Sequence, residues 1–267
     1  MKKIIVLISG KLKYFSHENF TRINDNLKDY DIDFFLTPWE QENINLINTF
    51  KKIYKPLAIK KISQSKFENK INLIKYPDNA GSMEGFFYNW EGICKGLKEI
   101  DSYFENENSK PDFILRYRSD ILPKKNTSFE INNFNFNNKL IVPDRYHWNG
   151  INDQLFLFKY NKIKLFQNFF EFVDSHIKDN RFFSGEFIFY RFLKKNNLKP
   201  IFNNFDYTLM REKNFKKKNI PNDLKSKIPL RDNILIKLNK LIYKIRNFKE
   251  FYIFKNKRNK HQDMILD

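Results

Sequence analysis

Cysteine is nearly absent from this chain: one residue, Cys94, among 267. A lone thiol excludes an intrachain disulfide framework and suits a reducing compartment. Glycine and proline are scarce too, 7 and 9 residues, which argues against a disordered or fibrous chain. No run approaches about 18 uninterrupted apolar residues, so no membrane span is expected. Met1, Lys2 and Lys3 lead into an apolar run at 4–8. That run is too short for a secretory leader and lacks a small-residue cleavage site, so a cytoplasmic protein is expected. The four histidines and single cysteine show no zinc spacing. Walker A, dinucleotide-fingerprint and nucleophile-elbow patterns are all missing.

What the chain does have is aromatic bulk and positive charge. Hydrophobic residues make up 41%, including 30 Phe and 13 Tyr, enough for a substantial core. A formal charge of +18 points to polyanions: nucleic acid, anionic lipid or phosphorylated substrates. A general compositional bias toward Lys, Asn, Ile and Phe accounts for the same excess without any partner. A nucleic-acid-binding module is the alternative that the charge and the 17% aromatic content suggest. Against it, the basic residues are spread rather than clustered and no nucleic-acid-binding motif occurs, so no nucleic-acid partner is expected.

Strand signals at 3–9, 31–36, 113–115, 140–143, 154–158 and 199–205 alternate with helix signals at 15–27, 43–53, 82–100, 160–176 and 184–195. Weaker strand-like pieces lie at 54–62 and 70–76. In the long helix, Met83, Phe86, Phe87, Trp90, Ile93 and Leu97 recur at helical intervals. Ser16 is placed to cap the first helix. The alternation predicts an α/β fold with a mainly parallel sheet flanked by helices, spanning residues 1–210. The remainder, 211–267, reads as a basic linker and a C-terminal helical extension. Within 233–254, Ile234, Leu235, Leu238, Leu241, Ile242 and Ile245 form a stripe with Lys and Arg between. Such a helix suits either an anionic membrane surface or packing against the domain.

The segment Arg116-Tyr117-Arg118-Ser119-Asp120 follows the apolar run Phe113, Ile114 and Leu115. Alternation along a strand places Arg116, Arg118 and Asp120 on one face. Two guanidiniums and a carboxylate at the end of a buried strand suit an anionic ligand with a divalent cation. An internal ion-pair ladder or a charged edge strand is the bland alternative. Ser9 and Gly10 close the first strand, where a glycine lets backbone N–H groups approach a phosphate and Lys13 adds charge. An ordinary strand-to-helix turn explains them equally. Asp153 opens the apolar run 155–158, placed either to act as base for an acceptor hydroxyl or to close an Asx-turn. Arg145, Tyr146, His147 and Trp148 form a polar-aromatic loop suited to stacking on a sugar or base, or to loop packing.

In this order, these pieces resemble bacterial glycosyltransferases that build lipopolysaccharide or capsular polysaccharide. Ser9-Gly10-Lys11-Leu12-Lys13-Tyr14-Phe15 is similar to a family pattern Ser-Gly-x-x-Arg-x-Phe, with Lys13 in place of Arg. Asp33 to Trp39 resembles the family's second strand, and Asn79 to Met83 with Tyr88 and Trp90 its helix before the metal strand. Arg116-x-Arg118-x-Asp120 resembles a form of the DxD element in which Arg118 stands where the first Asp would be. Asn152-Asp153-Gln154 resembles a segment near the acceptor. Ser184-Gly185-Glu186 resembles a Pro-Glu helix start, with Gly185 at the Pro position. The resemblance covers about residues 1–210. It implies a GT-A-like (Rossmann-like) catalytic domain and a nucleotide-sugar donor contacted by Ser9, Gly10, Lys13, Ser82, Arg116 and Arg118. It also implies Mn²⁺ or Mg²⁺ at Asp120, a glycan or lipid-linked acceptor, and Asp153 then Glu186 as candidate bases. A metal-independent site, with Arg116 or Arg118 neutralising the diphosphate, stays open. So does a nucleotidyl- or phosphotransferase using the same diphosphate site. A lipid-linked acceptor implies a peripheral position on the inner face of the cell membrane.

Overall fold

The computed structural model describes residues 1–13, 15–74, 82–124, 127, 131, 136–144, 151–179, 183–203 and 205–210. The expected extension at 211–267, the 145–150 loop, Tyr14 and residues 79–81 lie outside them.

The chain runs β1 (Lys3–Gly10), α1 (His17–Asn26), β2 (Asp31–Pro38), α2 (Ile44–Tyr54), β3 (Ala58–Ile59), α3 (Glu68–Asn72), α4 (Met83–Glu105) and β4 (Phe113–Tyr117). It continues through β5 (Ile121–Pro123), β6 (Lys139–Pro143), β7 (Leu155–Lys159), α5 (Ile163–Gln167), α6 (Phe169–Lys178), α7 (Gly185–Lys195), β8 (Lys199–Asn203) and β9 (Tyr207–Leu209). Seven strands form one sheet in the order β3-β2-β1-β4-β7-β6-β8, and β5 pairs with β9 in a separate ribbon. The sheet is mainly parallel. Only β7 runs against its neighbours β4 and β6. This is the expected α/β, Rossmann-like architecture.

β1 is central, so both its faces are covered and its sequence is a continuous apolar run. Ile4, Val6 and Ile8 join the cluster beneath α1 and α2, while Ile5 and Leu7 join the cluster beneath α4 to α7. Each buried aliphatic side chain contributes roughly 1.5–3 kcal/mol before entropy is counted. The α4 side is an aromatic stack: Trp90 lies on Phe169 with ring centroids 3.7 Å apart, flanked by Phe156 and Phe189. The lone thiol, Cys94, sits in this layer with Sγ donating to Phe166 O at 3.4 Å, and burial pushes it up to about 12.

α4 is set by its cap and by one close approach. Ser82 Oγ accepts from Gly85 N at 3.1 Å, and the helix then runs 23 residues. A Cβ on Gly96 would fall 2.7 Å from Thr37 Oγ1 and 2.9 Å from Leu7 Cδ1, so glycine lets the helix lie directly on β1 and β2. Ser16 and Asn43 cap α1 and α2 through their side chains in the same way.

Three local expectations change. Of the strand-like piece expected at 70–76, residues 70–74 are described and form no strand. α3 forms there instead, because Phe67 stacks on Phe87 and Phe170 and holds the segment over α4. The helix expected at 160–176 becomes a 3-10 turn followed by α5 and α6, bent at Asn168, whose short amide favours a turn over a helix interior. The strand holding Arg116 ends at Tyr117, so Arg118 and Asp120 belong to a turn closed by Ile121 N donating to Arg118 O at 3.0 Å. Tyr117 turns to the opposite face, where its hydroxyl meets Asn19 and Ile121 O.

Candidate active site

Strand direction gathers the site. β1, β2, β3 and β4 are parallel, so their C-terminal ends share one edge of the sheet, and antiparallel β7 begins at that edge. Ser9 and Gly10, Trp39, Arg116 to Asp120, and Asp153 therefore converge. α4 and α7 also start there, adding Ser82, Ser184, Gly185 and Glu186 to the lining. The result is a cleft of about 1040 Å³. All nine residues nominated from sequence line it: Ser9, Gly10, Lys13, Ser82, Arg116, Arg118, Asp120, Asp153 and Glu186.

Arg116 follows Ile114 on the α4 side of the sheet, between Leu7 and Phe156 on the neighbouring strands. It is 2% exposed, a costly place for a charge. Its Nη1 donates to Tyr117 O, and its Nη2 to Asn89 Oδ1 at 3.0 Å, while Nε has no hydrogen-bond partner. Burial and then the like charge of Arg118 lower its guanidinium to about 10, against the pull of Asp153 and Asp120. It stays charged at neutral pH.

Arg118 is half-buried and turns back on Asp120, which is 3% exposed. Nη2 donates to Oδ2 at 2.9 Å, and Nε lies 2.7 Å from Oδ1, close but without hydrogen-bond alignment. The turn is anchored from both sides. Asp120 O accepts from Met210 N at 2.8 Å, which ties it to β9. Ser119 Oγ accepts from Lys13 N at 3.0 Å and donates to Lys11 O at 3.1 Å, which ties it to the loop after β1. Gly10, with φ +83, starts that loop in a conformation other residues resist.

Asp153 is half-buried. Its Oδ2 accepts from Trp90 Nε1 at 3.2 Å and lies 3.5 Å from Asn89 Nδ2. Desolvation pushes its carboxyl above the usual aspartate range, while Arg118 and Arg116 pull the other way. Asn89 thus joins Arg116 to Asp153, one amide serving both charges. The preceding Asn152 closes an Asx-turn onto Gln154 N at 2.8 Å, so the turn is present and the Asp153 carboxylate lines the cleft as well. Glu186 sits in the first turn of α7, where Ser184 Oγ donates to Oε2 at 3.3 Å and Ile151 N donates to Glu186 O at 3.0 Å.

Sequence reasoning missed the β2 side of the cleft. Trp39 and Tyr88 meet edge to face with centroids 6.3 Å apart, and Gln41, Glu42, Asn43 and Gln64 continue that wall. Trp39 is carried there by its bridge to Ile62. Asn89 was missed too. Its signal was a lone amide three residues after Phe86 on an otherwise apolar helical face.

The residues fit a protein-held divalent ion poorly. Among the described residues no three His, Cys, Asp or Glu side chains gather as a metal site. Asp120 faces a guanidinium where a second carboxylate would be needed, and Asp153 faces Trp90 and Asn89.

No protein-family model and no curated protein matches the chain. Solved structures do. The galactosyltransferase LgtC, in complex with donor and acceptor sugar analogues, shares 14% identity over 74% of this chain and 72% of that chain, with a TM-score of 0.43. The glycosyltransferase GlyE of Streptococcus pneumoniae TIGR4 shares 12% over 75% of this chain and 45% of that chain, with a TM-score of 0.38. A mutant of Drosophila β-1,4-galactosyltransferase 7, in complex with manganese, UDP-Gal and xylobiose, shares 10% over 79% of this chain and 72% of that chain, with a TM-score of 0.40.

Proposed function

We propose that the chain is a GT-A-type glycosyltransferase. It moves a sugar from a nucleotide-sugar donor to a hydroxyl of a cell-surface glycan, lipopolysaccharide or capsule. One observation carries the reading: two arginines and a desolvated carboxylate face one large cleft at the carboxyl edge of a parallel sheet. In the reaction, the bond between the anomeric carbon and the diphosphate oxygen breaks and the acceptor oxygen bonds to that carbon. The electron pair leaves with the nucleoside diphosphate. Its growing negative charge falls beside Arg116 and Arg118, where fixed positive groups in a partly dry site act most strongly. The acceptor proton goes to Asp153, whose raised value suits it as a base, with Glu186 the second candidate. Ser9, Gly10 and Lys13 line the path of the phosphates, and Ser82 starts a helix whose N–H groups face it.

The test is a thermal-stability screen with nucleoside diphosphates and nucleotide sugars, with and without Mn²⁺, followed by product analysis. Specific stabilisation and release of nucleoside diphosphate with sugar transfer support the reading. Release of nucleoside monophosphate with transfer of sugar phosphate instead assigns a phosphotransferase, and release of sugar phosphate with transfer of the nucleotide assigns a nucleotidyltransferase.

A lipid-linked acceptor would place the enzyme at the inner face of the membrane, with the basic, aliphatic-striped segment 233–254 as its contact. No helix among the described residues is long and apolar enough to cross a membrane. Binding to anionic vesicles that weakens with salt and is lost on deleting 230–267 supports that contact. An intact chain that ignores such vesicles refutes it.

A further inference from the structure

We infer that Arg116 and Arg118 hold the donor's diphosphate in place of a divalent cation, and that Asp120 aims Arg118 instead of ligating a metal. The inference rests on the glycosyltransferase reading and says which groups carry its phosphates.

A guanidinium has two edges that can each bind a pair of oxygens. Asp120 occupies the Nε–Nη2 edge of Arg118, at 2.7 and 2.9 Å. Nη1 has no partner among the described residues, and the side chain lines the cleft. The Nη1–Nη2 edge is therefore presented to a ligand in a fixed direction, with Asp120 as its brace. A hard cation at Asp120 would have to displace that guanidinium and then sit beside its charge. Only one carboxylate of the turn would be available to repay it. Arg116 supplies the second positive group. It is 2% exposed, lines the same cleft, and keeps an unpaired buried Nε. Native proteins seldom bury an unpaired charged donor without an acceptor to come. Ser9 Oγ, at the end of the adjacent strand, is likewise buried without a partner.

Calorimetric titration of the full chain with inorganic pyrophosphate and with a set of nucleoside diphosphates, in EDTA and in Mn²⁺, tests this. Affinities should agree within about twofold between the two buffers. Arg118→Gln should weaken binding roughly a hundredfold in both. Asp120→Asn, which keeps an oxygen for Arg118, should weaken it by no more than about tenfold, equally in both, whereas Asp120→Ala should cost more. Binding that appears only with Mn²⁺ and vanishes in Asp120→Asn would make Asp120 a metal ligand. The inference would then fall while the glycosyltransferase reading stands. If no diphosphate binds in either buffer, both fall. The wild-type comparison of buffers decides the matter even if a variant fails to fold.

Discussion

On the β2 side the cleft is walled by Trp39, Tyr88, Gln41, Glu42, Asn43 and Gln64. On the β4 side the wall is Arg116, Arg118, Asp120, Asp153 and Glu186. Apart from Glu42, whose carboxylate accepts from Leu12 N and Asn43 N, the first wall is neutral and inexpensive to fold, since aromatic rings pack and amides at an open surface stay hydrated. The second concentrates charge where water is scarce, and each group depends on its neighbour: Arg118 on Asp120, Arg116 on Asn89, Asp153 on Trp90. Substitutions should therefore behave differently on the two sides. On the ionic wall, chemistry and stability move together. On the neutral wall, affinity should change alone. Under the proposed sugar transfer, the diphosphate and the reacting centre would fall to the ionic wall and the flat, hydrogen-bonding nucleobase to the largely neutral one.

The largest effect expected from the ionic wall is that of Asp153→Asn. Transfer should fall on the order of 10³-fold while pyrophosphate affinity changes only a few-fold, measured by single-turnover kinetics and calorimetry. Full activity in this variant would move the base role to Glu186 or remove it. Next comes pH. Because burial raises Asp153, the acid limb of the transfer profile should sit above the ordinary aspartate value of about 3.9. The folded state holds that proton longer than the unfolded chain does. Ionisation therefore costs stability as pH rises through the window between the two values, and Asp153→Asn should remove that decline. On the neutral wall, Tyr88→Ala should weaken nucleoside diphosphates about tenfold and leave inorganic pyrophosphate unchanged. Equal loss for both ligands would erase the division of the cleft. The smallest effect should be that of Ser82→Ala. Loss of the α4 cap should cost about 1 kcal/mol in chemical denaturation, with Ser82→Asp retaining it.

Much of the frame was legible because local physics and tertiary context agree there. The unbroken run at 4–8 means a buried strand, and Ser16 caps the helix it precedes. Arg116, Arg118 and Asp120 converge as their spacing suggests, although by a turn and not by strand alternation. The antiparallel course of β7 was not legible, since a short apolar run reads the same in either direction. Nor was the β5–β9 ribbon, three residues on each side and held by partners about 86 positions apart. Asn89, Trp39 and Tyr88 escaped because their importance lies in what they face, which only the packing of α4 on the sheet decides.

Cys94 has a practical consequence. A chain with a single thiol, set between α4 and the α5 segment and raised to about 12, is almost wholly protonated and shielded at neutral pH. A thiol reagent can reach it only when that contact parts. The rate of modification of the native protein therefore clocks the breathing of the helix that carries Asn89, with no engineered probe. A ligand that steadies Asn89 through Arg116 would register as a slower clock.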